Sequence, residues 1–243
     1  MKTQIIVLSL IFIYANSEDY IINKFNPIKG NGKINEKSIN LTDIKNIENT
    51  GVFNIYIKQG EKNEAKVETD ENILTYLSYS INKNTISINS NEDFIFSPTK
   101  ANIYITLKEI ESIENTGIGN VNIDNFDSIS NLKIENSGTG NIQLNGVKST
   151  VLSIENSGTG TVKLNGISTK LKVENSGVGS INSFNMLTDY AEIDNSGVGT
   201  VEVSVAKEIY ISNDGVGSVR YKGNAIVKKL DESGLGSVKK ISN

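Results

Sequence analysis

Five carboxylates fall at matching places in a repeated pattern: Glu114, Glu135, Glu155, Glu174 and Asp194. If the repeat stacks on itself as β-structure, successive members lie about 4.8 Å apart. That is close to the roughly 5 Å between the two carboxyl groups of a retaining glycosidase. Every rung supplies the same spacing, however, and nothing in the sequence gives one pair two different environments. Separate acid and base roles need environments that push two pKa values apart. The rest of the catalytic repertoire is thin. The 243 residues contain no His, no Cys and one Arg, Arg220, which removes most nucleophile, general-base and zinc chemistry. A carbohydrate-active enzyme is therefore the alternative reading, and a non-catalytic protein the leading one, with no cofactor or metal expected.

The glycines are the other candidates. Gly-x-Gly recurs with its first member at Gly117, Gly138, Gly158, Gly177, Gly197, Gly215 and Gly234, at intervals of 21, 20, 19, 20, 18 and 19 residues. A phosphate-cradling loop requires a helix after the glycines, whereas NIQLNG and TVKLNG continue as strand. A calcium-binding nonapeptide repeat requires an Asp two residues after the last Gly, and here that position is Val or Ile. The remaining role is steric. Gly tolerates positive φ and lets backbones approach closely at a corner. Gly117, Gly119, Gly138, Gly140, Gly158, Gly160, Gly177, Gly179, Gly197 and Gly199 are accordingly expected to be structural corner residues.

Such a period marks a solenoid. The units read IENTGIGNV, IENSGTGNI, IENSGTGTV, VENSGVGSI, IDNSGVGTV, ISNDGVGSV and LDESGLGSV. An eighth copy, IENTGVFNI, begins at Ile47 with Phe53 in place of the second Gly; 66 residues, about three coils of chain, separate Gly51 from Gly117. Apolar and polar residues alternate around each pair, as in Leu132, Ile134, Ile142 and Leu144, so the elements are short strands with one buried face. The sequence thus predicts an all-β protein, a single-stranded parallel β-helix of about 20-residue coils. Ile113, Ile134, Ile154, Val173, Ile193, Ile211 and Leu230 are expected as one interior ladder. Val121, Ile142, Val162, Ile181, Val201, Val219 and Val238 form a second. The alternation also points Asn115, Asn136, Asn156, Asn175, Asn195 and Asn213 inward, where stacked amides hydrogen-bond from coil to coil.

The repeats, together with VFNIYIKQG, VETDENILTYL and KNTISI in that order upstream, resemble the putative autotransporter adhesin head GIN domain family over about Gly30 to the C-terminus. The resemblance implies a right-handed parallel β-helix with no established catalytic residues, and an adhesin-like role. It carries over no functional residue. Many bacterial members bear a lipoprotein cysteine that this chain lacks.

Residues 1–17 have the form of a signal peptide: a Lys, an apolar run from Ile5 to Ala15 too short to span a bilayer, then small residues, with cleavage expected after Ala15 or Ser17. Residues 18–38 read as an N-terminal lead-in or cap, and 39–243 as the β-helix. The expected product is secreted, without a transmembrane segment. A net charge of −4 offers no footprint for nucleic acid. Asn40 begins the sequon Asn40-Leu41-Thr42, a possible glycan acceptor. The expected partner is an extracellular glycan or protein, with Tyr79, Tyr104, Tyr190, Tyr210 and Tyr221 available for sugar stacking and ordinary packing the competing role of each. A secreted scaffold with no ligand is the competing class.

Overall fold

A computed structural model of the chain describes residues 26–90 and 94–242. The proposed signal sequence lies outside them. The fold is a β-solenoid of about six turns, 62% strand and 2% helix. The repeat dictates this, because a strand whose aliphatic face recurs every 20 residues finds its best partner in its own next copy. On one side Ser112–Asn115 pairs in parallel with Ile129–Asn136, which continues into Ile142–Asn156, Val162–Asn175, Ile181–Asn195, Val201–Asn213 and Ile226–Asp231. The register is strict: Ile113, Ile134, Ile154, Val173, Ile193 and Ile211 face one another in order and are at most 2% exposed. Leu230 is in register with Ile211 yet 52% exposed, because no described rung lies beyond it.

The long strands from Ile142 to Asn213 each run through two sides of the coil, and β-bulges between them absorb the variation in repeat length.

The eighth copy sits directly against the first of the seven. Asn46–Asn49 pairs in register with Ser112–Asn115, and Asn54–Gln59 with Val121–Asp124. The intervening chain is an out-and-back excursion that closes one end of the stack. Ala101–Leu107 and Thr85–Ser90 add one further parallel rung. Antiparallel strands Glu64–Asp70, Ile34–Asn40 and Leu77–Asn82 then end the sheets, with a one-turn helix at Glu71–Leu74. The cap thus draws on residues 34–40 and on 64–107. Asp70, fully buried, ties it together by accepting from the Thr99 hydroxyl at 2.7 Å and the Gly32 and Thr99 N–H groups at 2.8 Å. Burial opposes its ionisation, but these donors outweigh burial and hold the carboxyl below its usual range.

The Gly-x-Gly glycines differ from expectation in one respect. The glycines with positive φ are Gly32, Gly146, Gly166 and Gly223, none of them in the seven repeat pairs. Gly146 and Gly166 follow Asn on the other side of the coil, where the long strands turn. What the pairs require is space: a methyl group on Gly158 would collide with the Gly138 carbonyl oxygen, and one on Gly160 with that of Gly140. The collision is always with the neighbouring rung nearer the cap. Phe53 is tolerated for that reason, since its rung meets the cap instead, where its ring is buried among Ile73, Tyr76, Leu77 and Phe96.

Candidate functional site

The inward Asn residues form one continuous ladder. Asn49 Nδ2 donates to Asn115 Oδ1, and so on through Asn136, Asn156, Asn175 and Asn195 to Asn213, at 2.7–3.0 Å, with every member at most 1% exposed. Among the described residues Asn213 Nδ2 has no partner. The next position in the column is Glu232, whose carboxylate instead accepts from the Val238 N–H.

On the outer face, one position before each Asn, the acids stack in register as expected, and Glu48 extends the column by a rung to six. The flanking lysines divide unequally. Lys133 Nζ lies 2.8 Å from Glu135 and 2.9 Å from Glu155, and its hydrogen bond holds the Glu135 carboxyl below the ordinary range. Lys172, two residues before Glu174, reaches Glu192 at 3.8 Å instead. Among the described residues no group of three or more His, Cys, Asp or Glu is placed to hold a metal ion.

Beside the column opens a cleft of about 770 Å3, where segments 108–111 and 125–128 interrupt the regular coil. Asn125 and Ser128 both have positive φ, marking a chain forced out of strand geometry. Gln59 pins the two segments, accepting from the Asp127 N–H at 3.0 Å and donating to the Lys108 carbonyl at 3.2 Å. Phe126, Ile129 and Leu132 are buried beneath. Lys108, Lys133 and Lys172 line it together with Glu109, Glu111, Asp127, Glu155 and Glu174. Lys45 braces the rim by binding Glu109 at 2.6 Å and Glu111 at 3.2 Å. Sequence reasoning did not single out Lys108, Glu109, Glu111 or Asp127: they sit in the irregular segments, where no periodicity assigns a direction to a side chain.

Of the tyrosines named for sugar stacking, Tyr79, Tyr104, Tyr190 and Tyr210 are exposed and Tyr221 packs partly against the core. Tyr104 stacks on Tyr56 at 5.2 Å with Lys66 over its ring, Tyr79 lies under Lys37, and Tyr190 lies under Lys207. Asn40 is exposed at the end of its strand.

A putative adhesin from Bacteroides fragilis NCTC 9343 is 28% identical and superposes with a TM-score of 0.85 over 88% of this chain and all of its own. A putative adhesin and a putative lipid binding protein, both from Parabacteroides distasonis ATCC 8503, are 19% and 20% identical. Their TM-scores are 0.65 and 0.62, with 89% and 88% of this chain and all of theirs covered, a likeness of fold. No curated protein matches the chain. The family model described as "Putative auto-transporter adhesin, head GIN domain" matches residues 43–225, most of the repeat and much of its cap, and the chain belongs to that family.

Proposed function

We propose that this chain is an exported, non-catalytic, adhesin-like protein that holds an extracellular glycan or protein in the charged cleft. The observation that carries the reading is the cleft itself: ammonium and carboxylate groups around a space of about 770 Å3, with Lys133, Glu155, Lys172 and Glu174 set by in-register rungs and Lys108, Glu109, Glu111 and Asp127 by segments that Gln59 and Lys45 tie down. Fixed polar groups of this kind orient a ligand at little cost in ordering. The neighbouring carboxylates favour binding over bond cleavage. Glu135 and Glu155 share the Lys133 ammonium group, whose hydrogen bond holds the Glu135 carboxyl below its ordinary range, whereas a glycosidase acid needs its pKa raised. Family membership and the N-terminal apolar run agree with an extracellular station.

The test is a glycan and surface-protein array probed with the purified protein, alongside Lys108→Glu combined with Lys172→Glu. Retention of a ligand by the wild type and its loss in the variant, at unchanged melting temperature, is the expected result. Failure to retain any ligand overturns the binding role, and release of reducing ends from a polysaccharide, abolished by Glu155→Gln, overturns the non-catalytic one. Export is checked by N-terminal sequencing of protein from the medium, which should begin at Asn16 or Glu18.

A further inference from the structure

The Gly-x-Gly corner carries a second surface, which adjoins the cleft along Glu155 and Glu174. The packing demands the two glycines but places no demand on the residue between them, which projects outward: Ile118, Val178, Val198 and Val216 are 55–62% exposed, and Thr139 and Thr159 are exposed in the same column. Solvation alone would favour Lys or Glu there. Flanking this ridge, the column before the glycines is Ser or Thr and the column after them Asn, Ser or Thr, broken only by Asp214. One charge in 21 positions, in a chain that is 21% charged, makes this a neutral strip.

The strip is also rigid. The N–H of each central residue is bonded to a glycine carbonyl on the rung nearer the cap, Thr159 to Gly138 at 3.1 Å and Val198 to Gly177 at 3.0 Å. Methyl and hydroxyl groups are therefore presented at the rung spacing of about 4.8 Å, without the ordering cost of a loop.

We propose that this corner strip docks an extended, neutral polysaccharide, with the chain axis along the stack. The advance per sugar in an extended β-linked chain is of the same order as the rung spacing, so sugar C–H faces meet the central ridge while ring hydroxyls meet the Ser, Thr and Asn columns. The charge distribution sets the class. Along one side of the strip the acid column carries Glu114, Glu174 and Asp194 beside the Glu135–Lys133–Glu155 cluster, a net negative edge that disfavours anionic polymers. Two other occupants fit less well. A second copy would bury a strip about 29 Å long and about 10 Å wide, about 600 Å2 in total, roughly half the lower bound of a stable interface. A protein partner would ordinarily find Trp, Tyr or Arg anchors, and the strip has none.

The experiment is co-sedimentation of the whole protein with insoluble cellulose, chitin and a neutral β-glucan, and with an anionic polysaccharide immobilised on beads. Val198→Lys and the triple change Thr159→Lys, Val178→Lys, Val198→Lys are compared with Lys108→Glu combined with Lys172→Glu. Binding to at least one neutral polymer, weakened at least tenfold by the single and triple strip variants and unchanged in the cleft variant, is the expected result. If the triple variant melts early, the single variant decides. Three outcomes overturn the proposal: no neutral polymer sediments the protein, the strip variants bind as the wild type does, or preference goes to the anionic polymer. A wild-type dimer that Val198→Lys dissociates in sedimentation velocity would assign the strip to self-association instead.

Discussion

Asn49 Nδ2 donates to Asn115 Oδ1 at 2.8 Å across 66 residues of chain, whereas every other bond of the same ladder spans 18–21. Closing the longer loop costs about 1 kcal/mol more than closing a 20-residue coil. The junction between cap and repeat is thus the most entropically demanding contact of the stack, and the buried amides help hold it.

Removing one amide from the ladder strands its two neighbours in an apolar core. Asn156→Leu is expected to lower stability by at least about 1–3 kcal/mol, the cost of leaving buried polar groups unpaired. Asn131→Leu, on the exposed face of Ile129–Asn136, should change it by less than about 0.5 kcal/mol. Urea denaturation of both variants checks this, and equal effects would mean that the column contributes no hydrogen bonding.

The glycine corner makes a contrasting pair of substitutions. Gly158→Ala places a methyl group on the Gly138 carbonyl and should cost more than about 2 kcal/mol, since two backbones must separate. At Gly32, where φ is +76° and no atom of the described residues lies within 4 Å of an added Cβ, Ala meets only the left-handed penalty of about 1–2 kcal/mol. Thermal melts that rank the two the other way would contradict the close-approach role.

Acid should weaken the cap. Asp70 is held below its usual pKa, as described, and Glu68 is lowered to about 2 by hydrogen bonds from Lys100 and Lys66. Because both folded-state values lie below the unfolded ones, their contribution is complete above about pH 4.5. It is lost as pH falls toward about 2. Melting temperature measured from pH 6 to pH 2 should fall across this window, and Asp70→Asn with Glu68→Gln should flatten the fall while lowering stability at neutral pH.

The acidic column should respond only weakly to calcium. Carboxylates in single file repel, so an ion bridging adjacent rungs relieves repulsion, but Lys133 already occupies the space between Glu135 and Glu155. A rise in melting temperature of a few degrees at millimolar calcium is the upper expectation, abolished by Glu155→Gln with Glu174→Gln. Submicromolar binding by calorimetry would contradict it.

The repeat was legible because its physics is translational. Once Ile134 and Ile154 are assigned inward, the period places Asn136 and Asn156 inward and Glu135 and Glu155 outward, and no long-range information is needed. The same reasoning was blind wherever the period fails. The 66 residues between Gly51 and Gly117 equal about three coils in length, yet they fold as a cap that reverses direction, because antiparallel strands end a stack that parallel ones would extend. The cleft was hidden for the same reason, as Lys108, Glu109, Glu111 and Asp127 lie in the segments that break the pattern. The positive-φ glycines were assigned to the wrong corner, since Gly-x-Gly stands out in the sequence more than the Asn-Gly of Gly146 and Gly166 that makes the left-handed turn.

The amide ladder also has a direction. Every Nδ2 points away from the cap and every Oδ1 toward it, so turning one amide over would bring oxygen against oxygen on one side and N–H against N–H on the other. The seven orientations are therefore set together, anchored at the cap end where Asn49 Oδ1 accepts from the Gly51 N–H and Asn49 Nδ2 also reaches the Phe53 carbonyl. Buried and out of reach of water, the ladder behaves as a single polarised wire about 29 Å long. A choice made at the cap is written unchanged onto Asn213 at the far end.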